Sequence, residues 1–541
     1  MSLSRFADIA TLRGRWLVLG GVVVLPFFRF LMRNDYPLTR PESLAAAGVL
    51  ALVCLASSAL ARRRMLFLTL SAAASVMMAT VPVLRLIAPW ADLSPRTAAA
   101  ALALLLAAAV LLMRERFALI LASFTLAAFA ADIVQAVAAR LGRSAPATLS
   151  AAAPPQGHVV YIVLDEHLAT GAFPLSIESC RCAHDEIRKT FANAGFTHYT
   201  NAHSNYPSTV SSLSSLLNRR LLDRRRMFLD ENSSEWRWGT RTFRENRLLS
   251  DFQRRGYRIE IFQHRAINHA APGIRPAAVH EYWDRLGELA AAGGGAYTRF
   301  RWLVGNYQQS DLVLSQVKAF FPFRFAPHTT GPLASGDVWP DGVLHAVRTA
   351  SKKTLFFVHL MAPHFPYLYR ANGAVRDLEE WSGDRVDQRS AAATYEDRYI
   401  RYCEQAEFLT MQLRALFRGI ESAGQFESAT IAVHGDHGSR IRRVLDDAAS
   451  GQPAGSDPER YDYAAKPDRR DLLDRFATLF AVKHPGRASG AVDARNASVL
   501  DLLNSHIPLR GAPPDSSPSV FLFDGDGHPR EIPYPATGEN E

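Results

Sequence analysis

The chain has 541 residues, with 61 Lys and Arg against 52 Asp and Glu and a hydrophobic fraction of 48%. That length allows a domain of several hundred residues plus a second part, and the apolar content excludes wholesale disorder. The net charge of +9 resides in residues 1–143, where 15 arginines and no lysine face 6 acids (Asp8, Asp35, Glu42, Asp92, Glu115, Asp132); the remainder is neutral and gives a nucleic-acid reading no support.

Five apolar stretches precede residue 145, at roughly 16–32, 43–61, 65–84, 98–113 and 117–139. Most approach the ~20 residues needed to cross a bilayer core. A cleaved signal peptide would explain only the first, so the series predicts a five-helix transmembrane bundle over 1–143. The denser arginine clusters (Arg5, Arg13, Arg15; Arg62 to Arg64; Arg114, Arg116) alternate with sparser loops holding Arg33, Arg40, Arg85 and Arg96. That bias places the N-terminus in the cytoplasm and everything beyond the fifth span outside it, at a bacterial inner membrane. Asp132 and Gln135 fall in the fifth span, near its outer end, where a solvated interfacial position accommodates them. Residues 144–156 read as an Ala/Ser/Pro linker and 290–295 as a loop.

Four cysteines are too few for a disulfide framework. In an oxidising compartment Cys180 or Cys182 could pair with Cys403; unpaired thiols are the alternative. No CxxC pair suggests a zinc knuckle.

From residue 157 onward, strand-like and helix-like runs alternate. Strands are predicted at 158–164, 257–262, 354–361, 428–434 and 478–482. Helices are predicted at 183–194, from 211, at 243–254, 391–417 and 497–505. The runs HVVYIVL and TLFFVHLM are continuously apolar, as strands buried on both faces must be. The pattern predicts an α/β domain over 157–541, with a mostly parallel sheet and helices on both faces. Ligand sites in such sheets lie beyond the carboxyl ends of the strands.

Three strand ends carry chemistry there. The first ends in Asp165, Glu166 and His167; the strand at 354–361 leads into Ala362-Pro363-His364-Phe365-Pro366; the strand at 428–434 ends in Gly435-Asp436-His437-Gly438. Carboxylates and imidazoles at several strand termini suit a divalent metal.

The stretches VVYIVLDEH (159–167), NYPSTVSSLSSLLN (205–218), FVHLMAPHFPY (357–367) and AVHGDHGS (432–439) resemble the sulfatase/alkaline-phosphatase superfamily. The layout is similar to its membrane-anchored members, lipoteichoic acid synthases and lipid A phosphoethanolamine transferases. The resemblance implies an alkaline-phosphatase-like fold. It implies a divalent ion (Zn or Mn, with Ca or Mg as alternatives) held by Glu166, with Asp165 next in preference, and by Asp436 and His437. It implies a Thr209 nucleophile at a helix start, with Ser208 as the alternative, and helix capping as the plainer role of either. His364 would serve as acid, base or phosphate donor, and His359 and Arg440 as substrate-binding residues. A solvated basic loop is the other reading of Arg440, Arg442 and Arg443.

There are departures from the family pattern. Ser439 stands where many of the transferases carry Glu, and the later His has no clear match beyond His484, so one metal is expected rather than two. Asn205 stands where sulfatases carry the residue oxidised to formylglycine, and no Arg follows Ser208, which argues against that chemistry. The expected activity is phosphate-ester transfer or hydrolysis from a membrane lipid donor to an envelope glycan or lipid. A sulfuric ester hydrolase and a non-catalytic envelope scaffold are the alternatives.

Overall fold

A computed structural model describes residues 27–28, 30–31, 38–60, 157–222, 236–237, 242–264, 267–282, 296, 299–300, 303–304, 339–377, 394–442, 467–487, 489–510, 517–523 and 529–535. The chain divides into two compact units. The first comprises Met1–Thr148, Arg285–Thr330 and Asp377–Ser382; the second comprises Leu149–Asp284, Gly331–Arg376 and Gly383–Glu541.

In the first unit, the apolar run at 43–61 forms the helix Pro41–Leu60, whose side chains are described only as far as Leu52. Arg299 Nε donates to the buried Glu42 Oε1 at 3.2 Å, so this charge is satisfied inside the unit. Among the described residues no helix is long and apolar enough to cross a membrane. The runs at 65–84, 98–113 and 117–139, most of 16–32, Asp132, Gln135, the linker and the 290–295 loop lie outside the described residues.

The second unit is built on an eight-stranded sheet. In chain order its strands are β1 (Val159–Leu164), β2 (Thr197–His203), β5 (Arg258–His264), β6 (Ala278–Tyr282), β7 (Thr354–Leu360), β8 (Thr430–Gly435), β9 (Phe480–Lys483) and β10 (Ala491–Ser498). Two short pieces, β3 (Trp236–Arg237) and β4 (Thr242–Phe243), pair with each other, as do β11 (Ser519–Phe523) and β12 (Pro529–Pro533). The sheet order is β10-β2-β9-β8-β1-β7-β5-β6. Only β9 runs against its neighbours. The fold is thus an α/β domain with a mostly parallel sheet and helices on both faces.

Alternation along β1 explains its unbroken apolar sequence. Val160, Ile162 and Leu164 enter one core, with the helices Glu178–Asn193, Trp339–Thr349 and Tyr395–Ser422. Val159, Tyr161 and Val163 enter the other, with the helices Thr209–Asn218, Arg247–Arg254 and Val499–His506. Both faces are covered, so no position of the strand is left for a polar side chain. Three strands of the sheet escape sequence reading, β2, β6 and β10; β6 (AVHEY) is a short strand at one edge. β2 (THYTNAH) is polar yet interior, while β10 (AVDARNAS) is an exposed edge.

Caps move two helix starts from their predicted places. Asn246 Oδ1 accepts from Leu249 N at 3.1 Å, so the helix read from 243 begins at Arg247 and Phe243 falls in β4. Thr394 and Asp397 form a capping box, so the helix read from 391 begins at Tyr395.

Of the cysteine alternatives, Cys180 pairs with Cys403 across 223 residues, and Cys182 is free and exposed. The bond joins the helices Glu178–Asn193 and Tyr395–Ser422. Closing so long a loop restricts the unfolded chain strongly. Cys403→Ser is expected to lower unfolding free energy by about 2–5 kcal/mol in denaturant titration. An unchanged midpoint would show that the bond contributes nothing.

Candidate metal and nucleophile site

The ends of β1, β7 and β8 lie side by side because these strands are neighbours in parallel register, Leu164 opposite Leu360 and Gly435. Asp165 N donates to Leu360 O at 2.9 Å, holding the first acid at the strand end. Asp436 Oδ1 accepts from the backbone N–H groups of Glu166 (3.0 Å) and His437 (2.9 Å). One carboxylate oxygen therefore ties two loops together and leaves Oδ2 to the pocket.

The glycines around Asp436 and His437 are required by crowding. A Cβ on Gly435 would stand 2.1 Å from Thr478 Oγ1, and one on Gly438 would stand 2.2 Å from Asp474 O. Close approach of neighbouring chain, not a left-handed backbone, is what requires glycine at both positions.

Asp165, Asp436 and His437 are fully buried, and each offers a ligand atom within 4.8 Å of the others. His437 Nε2 is 3.4 Å from Asp436 Oδ2 and 3.9 Å from Asp165 Oδ1. His437 Nδ1 lies 2.9 Å from Gly438 O. That contact fixes the tautomer with its proton on Nδ1, so the Nε2 lone pair faces the carboxylates. Asp165 Oδ2 and Asp436 Oδ2 are buried without a hydrogen-bond partner. Lone pairs converging in a buried pocket with no donor among them are what a divalent cation satisfies, so the residues fit one.

The electrostatics agree. Burial, then the charges of Asp436 and Glu166, push the Asp165 carboxyl well above its ordinary value. Burial and then Arg440 lower His437 to about 3, keeping it a neutral imidazole.

Glu166 behaves differently from Asp165. Its φ of 61° puts it in the left-handed region, and Arg440, at φ 57°, does the same from the facing loop. Arg440 Nε donates to Glu166 Oε1 at 2.9 Å, and Nη2 donates to the same oxygen. Burial alone would raise the Glu166 pKa, but Arg440, His364 and His437 together hold it below the ordinary value. In the geometry Asp165 lies in the cluster, while Glu166 Oε1 is engaged by a guanidinium and its Oε2 has no hydrogen-bond partner among the described residues. Arg440 is accordingly no solvated loop residue. Arg442 is held by Asp471, Nε to Oδ1 at 3.0 Å, and Arg443 lies outside the described residues.

Thr209 is the first residue of the helix Thr209–Asn218. Its Oγ1 lies 3.4 Å from Asp165 Oδ1 and 3.3 Å from His437 Nε2. Ser208 is the N-cap, with no side-chain cap bond, and its buried hydroxyl has no partner. The two hydroxyls are thus separated by geometry, and neither makes a side-chain cap bond to the helix.

His364 is partly exposed, with Nε2 3.5 Å from Glu166 Oε1. Its loop contains cis peptides at Ala362-Pro363 and Phe365-Pro366. Gln405 braces the loop, donating to Pro363 O at 3.1 Å and accepting from Leu368 N at 2.7 Å. Tyr402, on the same helix, donates to Glu166 O at 2.9 Å and accepts from Leu168 N at 2.7 Å. Sequence reasoning missed both braces, since a Tyr and a Gln in an amphipathic helix carry no signal of what they face. His359 is buried on β7 and bonded to His269, another residue without a sequence signal.

The departures find structural partners. Ser439 Oγ donates to Asp474 Oδ1. Asn205 Nδ2 donates to Ser517 O (3.0 Å) and Ser519 O (2.9 Å), clasping β11. His484 pairs with His506 at 3.0 Å.

A mostly parallel sheet thus gathers carboxylates, an imidazole and a helix-start hydroxyl at its strand ends, a donor set that fits a divalent ion. The chain belongs to the sulfatase family, whose model matches residues 158–505. It is a hydrolase or transferase of that superfamily, whose enzymes use a divalent metal. No curated protein matches it. Among solved structures, the C-terminal periplasmic domain of EcEptC from Escherichia coli is 13% identical with a TM-score of 0.37, covering 72% of this chain and 94% of that one. A phosphonate monoester hydrolase from Silicibacter pomeroyi is 13% identical with a TM-score of 0.39, covering 68% and 79%. The lipoteichoic acid synthase LtaP from Listeria monocytogenes is 11% identical with a TM-score of 0.36, covering 70% and 80%.

Proposed function

We propose that this chain is a membrane-anchored, metal-dependent enzyme that transfers or hydrolyses phosphate esters on the extracytoplasmic side, through a covalent intermediate on Thr209. The observation that carries the reading is the Thr209 hydroxyl, 3.4 Å from Asp165 and 3.3 Å from His437 in a buried cluster with unsatisfied carboxylate oxygens. Asp165, Asp436 and His437 would hold the ion, zinc or manganese by ligand type, with Glu166 at its edge. Bound there, a divalent ion lowers the pKa of a neighbouring hydroxyl and offsets phosphate charge. Thr209 Oγ would pass its proton to Asp165 Oδ1, which it faces at 3.4 Å, and bond to phosphorus as the bond to the ester oxygen breaks; that oxygen leaves and takes up a proton from water. An acceptor hydroxyl, or water, then displaces the threonine oxygen. The start of the Thr209–Asn218 helix presents free N–H groups and a positive dipole end to the phosphoryl oxygens. Arg440 adds a fixed positive charge, and His364, whose Nε2 lies 3.5 Å from Glu166 Oε1, is the candidate donor or base.

Phosphate is favoured over sulfate because the hydroxyl facing the cluster belongs to Thr209, and neither Thr209 nor Asn205, whose amide holds β11, can be converted to formylglycine. The donor is read as a membrane lipid and the acceptor as an envelope glycan or lipid, from the five apolar runs and the resemblance. Mass spectrometry of purified protein incubated with membrane lipids tests this. The expected result is a phosphoryl-containing mass added at Thr209; no adduct with any lipid, despite turnover, would overturn the covalent route.

The topology has its own test. A reporter fused after Leu141 is expected to be active only if it works outside the cytoplasm, since the denser arginine loops alternate inward. Activity of a cytoplasm-specific reporter there would overturn the placement.

A further inference from the structure

Cys403 lies in the helix Tyr395–Ser422, in the turn whose side chains hold the site. Three buried residues of that turn each reach a different loop. The Tyr402 phenol donates to Glu166 O at 2.9 Å and accepts from Leu168 N at 2.7 Å, closing the turn that follows β1. Gln405 Oε1 accepts from Leu368 N at 2.7 Å and Tyr369 N at 3.3 Å. Its Nε2 donates to Pro363 O at 3.1 Å and His364 O at 3.2 Å, which fixes the loop after β7. Tyr399 donates to Asp474 Oδ1 at 2.6 Å. Asp474 in turn accepts from Arg442 N at 3.0 Å through Oδ2 and from Arg440 N at 3.2 Å through its carbonyl, which fixes the loop after β8. One helix turn thus holds the loops of Asp165 and Glu166, of His364 and of Arg440.

Apolar packing keeps a helix against a core but resists sliding along it weakly, because the hydrophobic effect has no direction and packed helices shift by about 1–2 Å. Hydrogen bonds are less tolerant and are lost beyond about 3.5 Å. A slide of about 1 Å would leave the core largely intact and break most of the bonds to the three loops. Cys403 follows Tyr402 directly, and its bond to Cys180 fastens this turn to the helix Glu178–Asn193. Cys180 Sγ also lies 3.4 Å from Tyr399 O, so the bond meets the turn at its first brace.

We propose that the Cys180–Cys403 bond is a positioning element of the candidate site: by fixing the register of the turn from Tyr399 to Gln405, it sets the three loops in one geometry. The bond touches no substrate and no reacting atom; it acts through Tyr399, Tyr402 and Gln405. The proposal rests on the reading of these loops as the site of ester chemistry.

The test compares the full-length chain with Cys180→Ala/Cys403→Ala, each well below its melting temperature. Amide hydrogen exchange at Leu168 and Leu368 reads the loops directly, since among the described residues these amides have acceptors only on Tyr402 and Gln405. In the variant both amides are expected to exchange about 10-fold faster or more, while amides inside β1 and β8 stay protected. Release of a chromogenic phosphodiester alcohol is expected to lose about 10-fold or more in kcat, because a displacement of about 1 Å suffices for such a loss. Tyr402→Phe with the bond intact should also lower kcat. Added to the bond-free variant, it should cost less than the product of the separate losses, since both act on one loop. Unchanged exchange at the two amides overturns the proposal. So does an unchanged kcat with the amides freed, a combined loss equal to the product, or Tyr402→Phe with full kcat. A bond that only stabilised the fold would lower the melting temperature and move none of these. Should the double alanine variant fail to fold, Cys180→Val/Cys403→Ala refills the lost volume and is read the same way, and Tyr402→Phe decides in any case. Freed amides in the variant, with no ester turned over by wild type, would overturn the proposed function and leave the bond's hold on the loops standing.

Discussion

Thr209→Ala is expected to abolish release of a phosphodiester leaving group, by about 1,000-fold or more, while Ser208→Ala keeps most of the activity. The two hydroxyls are adjacent in sequence but differ in surroundings. Thr209 Oγ1 has Asp165 and His437 within 3.4 Å. Ser208 Oγ has no partner and makes no cap bond, so its removal forfeits no hydrogen bond. Neither change should move stability much, which separates loss of chemistry from loss of fold. Thr209→Ser keeps the hydroxyl and should keep part of the rate. Steady-state release of a chromogenic phosphodiester alcohol, with thermal melting as the control, measures all three variants. An inactive Ser208→Ala beside an active Thr209→Ala would move the nucleophile by one residue. Full activity in both would remove the covalent step.

Asp436→Asn and His437→Ala should each lower divalent metal content well below one per chain. Asp436 has two duties. Oδ1 accepts two backbone N–H groups that join the β1 and β8 loops, while Oδ2 faces the pocket unpaired. Alanine would remove both and strand two buried donors, costing about 1–3 kcal/mol of stability. Asparagine retains an acceptor for the loop bonds and removes the charge that a cation requires. His437→Ala removes the Nε2 lone pair and leaves the sheet untouched. Elemental analysis of purified full-length protein gives the result directly. A full metal load in both variants would place the ion elsewhere.

The parallel sheet was legible because strands covered on both faces are dominated by apolar residues, with His359 of β7 an exception. HVVYIVL and TLFFVHLM say so without a partner in view, and β1 and β7 lie there. β2 was hidden because its seven residues are mostly polar although it is an interior strand. The site's inventory was equally readable, since Asp165, Glu166, Thr209, His364, Asp436 and His437 all lie at predicted strand ends or a helix start.

By itself the sequence determined which residue types stand at the ends of three buried strands and one helix start, because local hydrophobic pattern sets where a strand stops. Tertiary structure alone decided which of each adjacent pair faces the other groups. Asp165 rather than Glu166 joins the cluster, since the left-handed backbone at Glu166 turns its carboxylate to Arg440, 274 residues away. Thr209 rather than Ser208 meets the acids, and Cys180 rather than Cys182 meets Cys403. His269 is visible as a partner of His359 only across 90 residues. Neighbours in sequence point in different directions once the backbone is folded, and the groups that they meet are brought by strands distant in the chain but adjacent in the sheet.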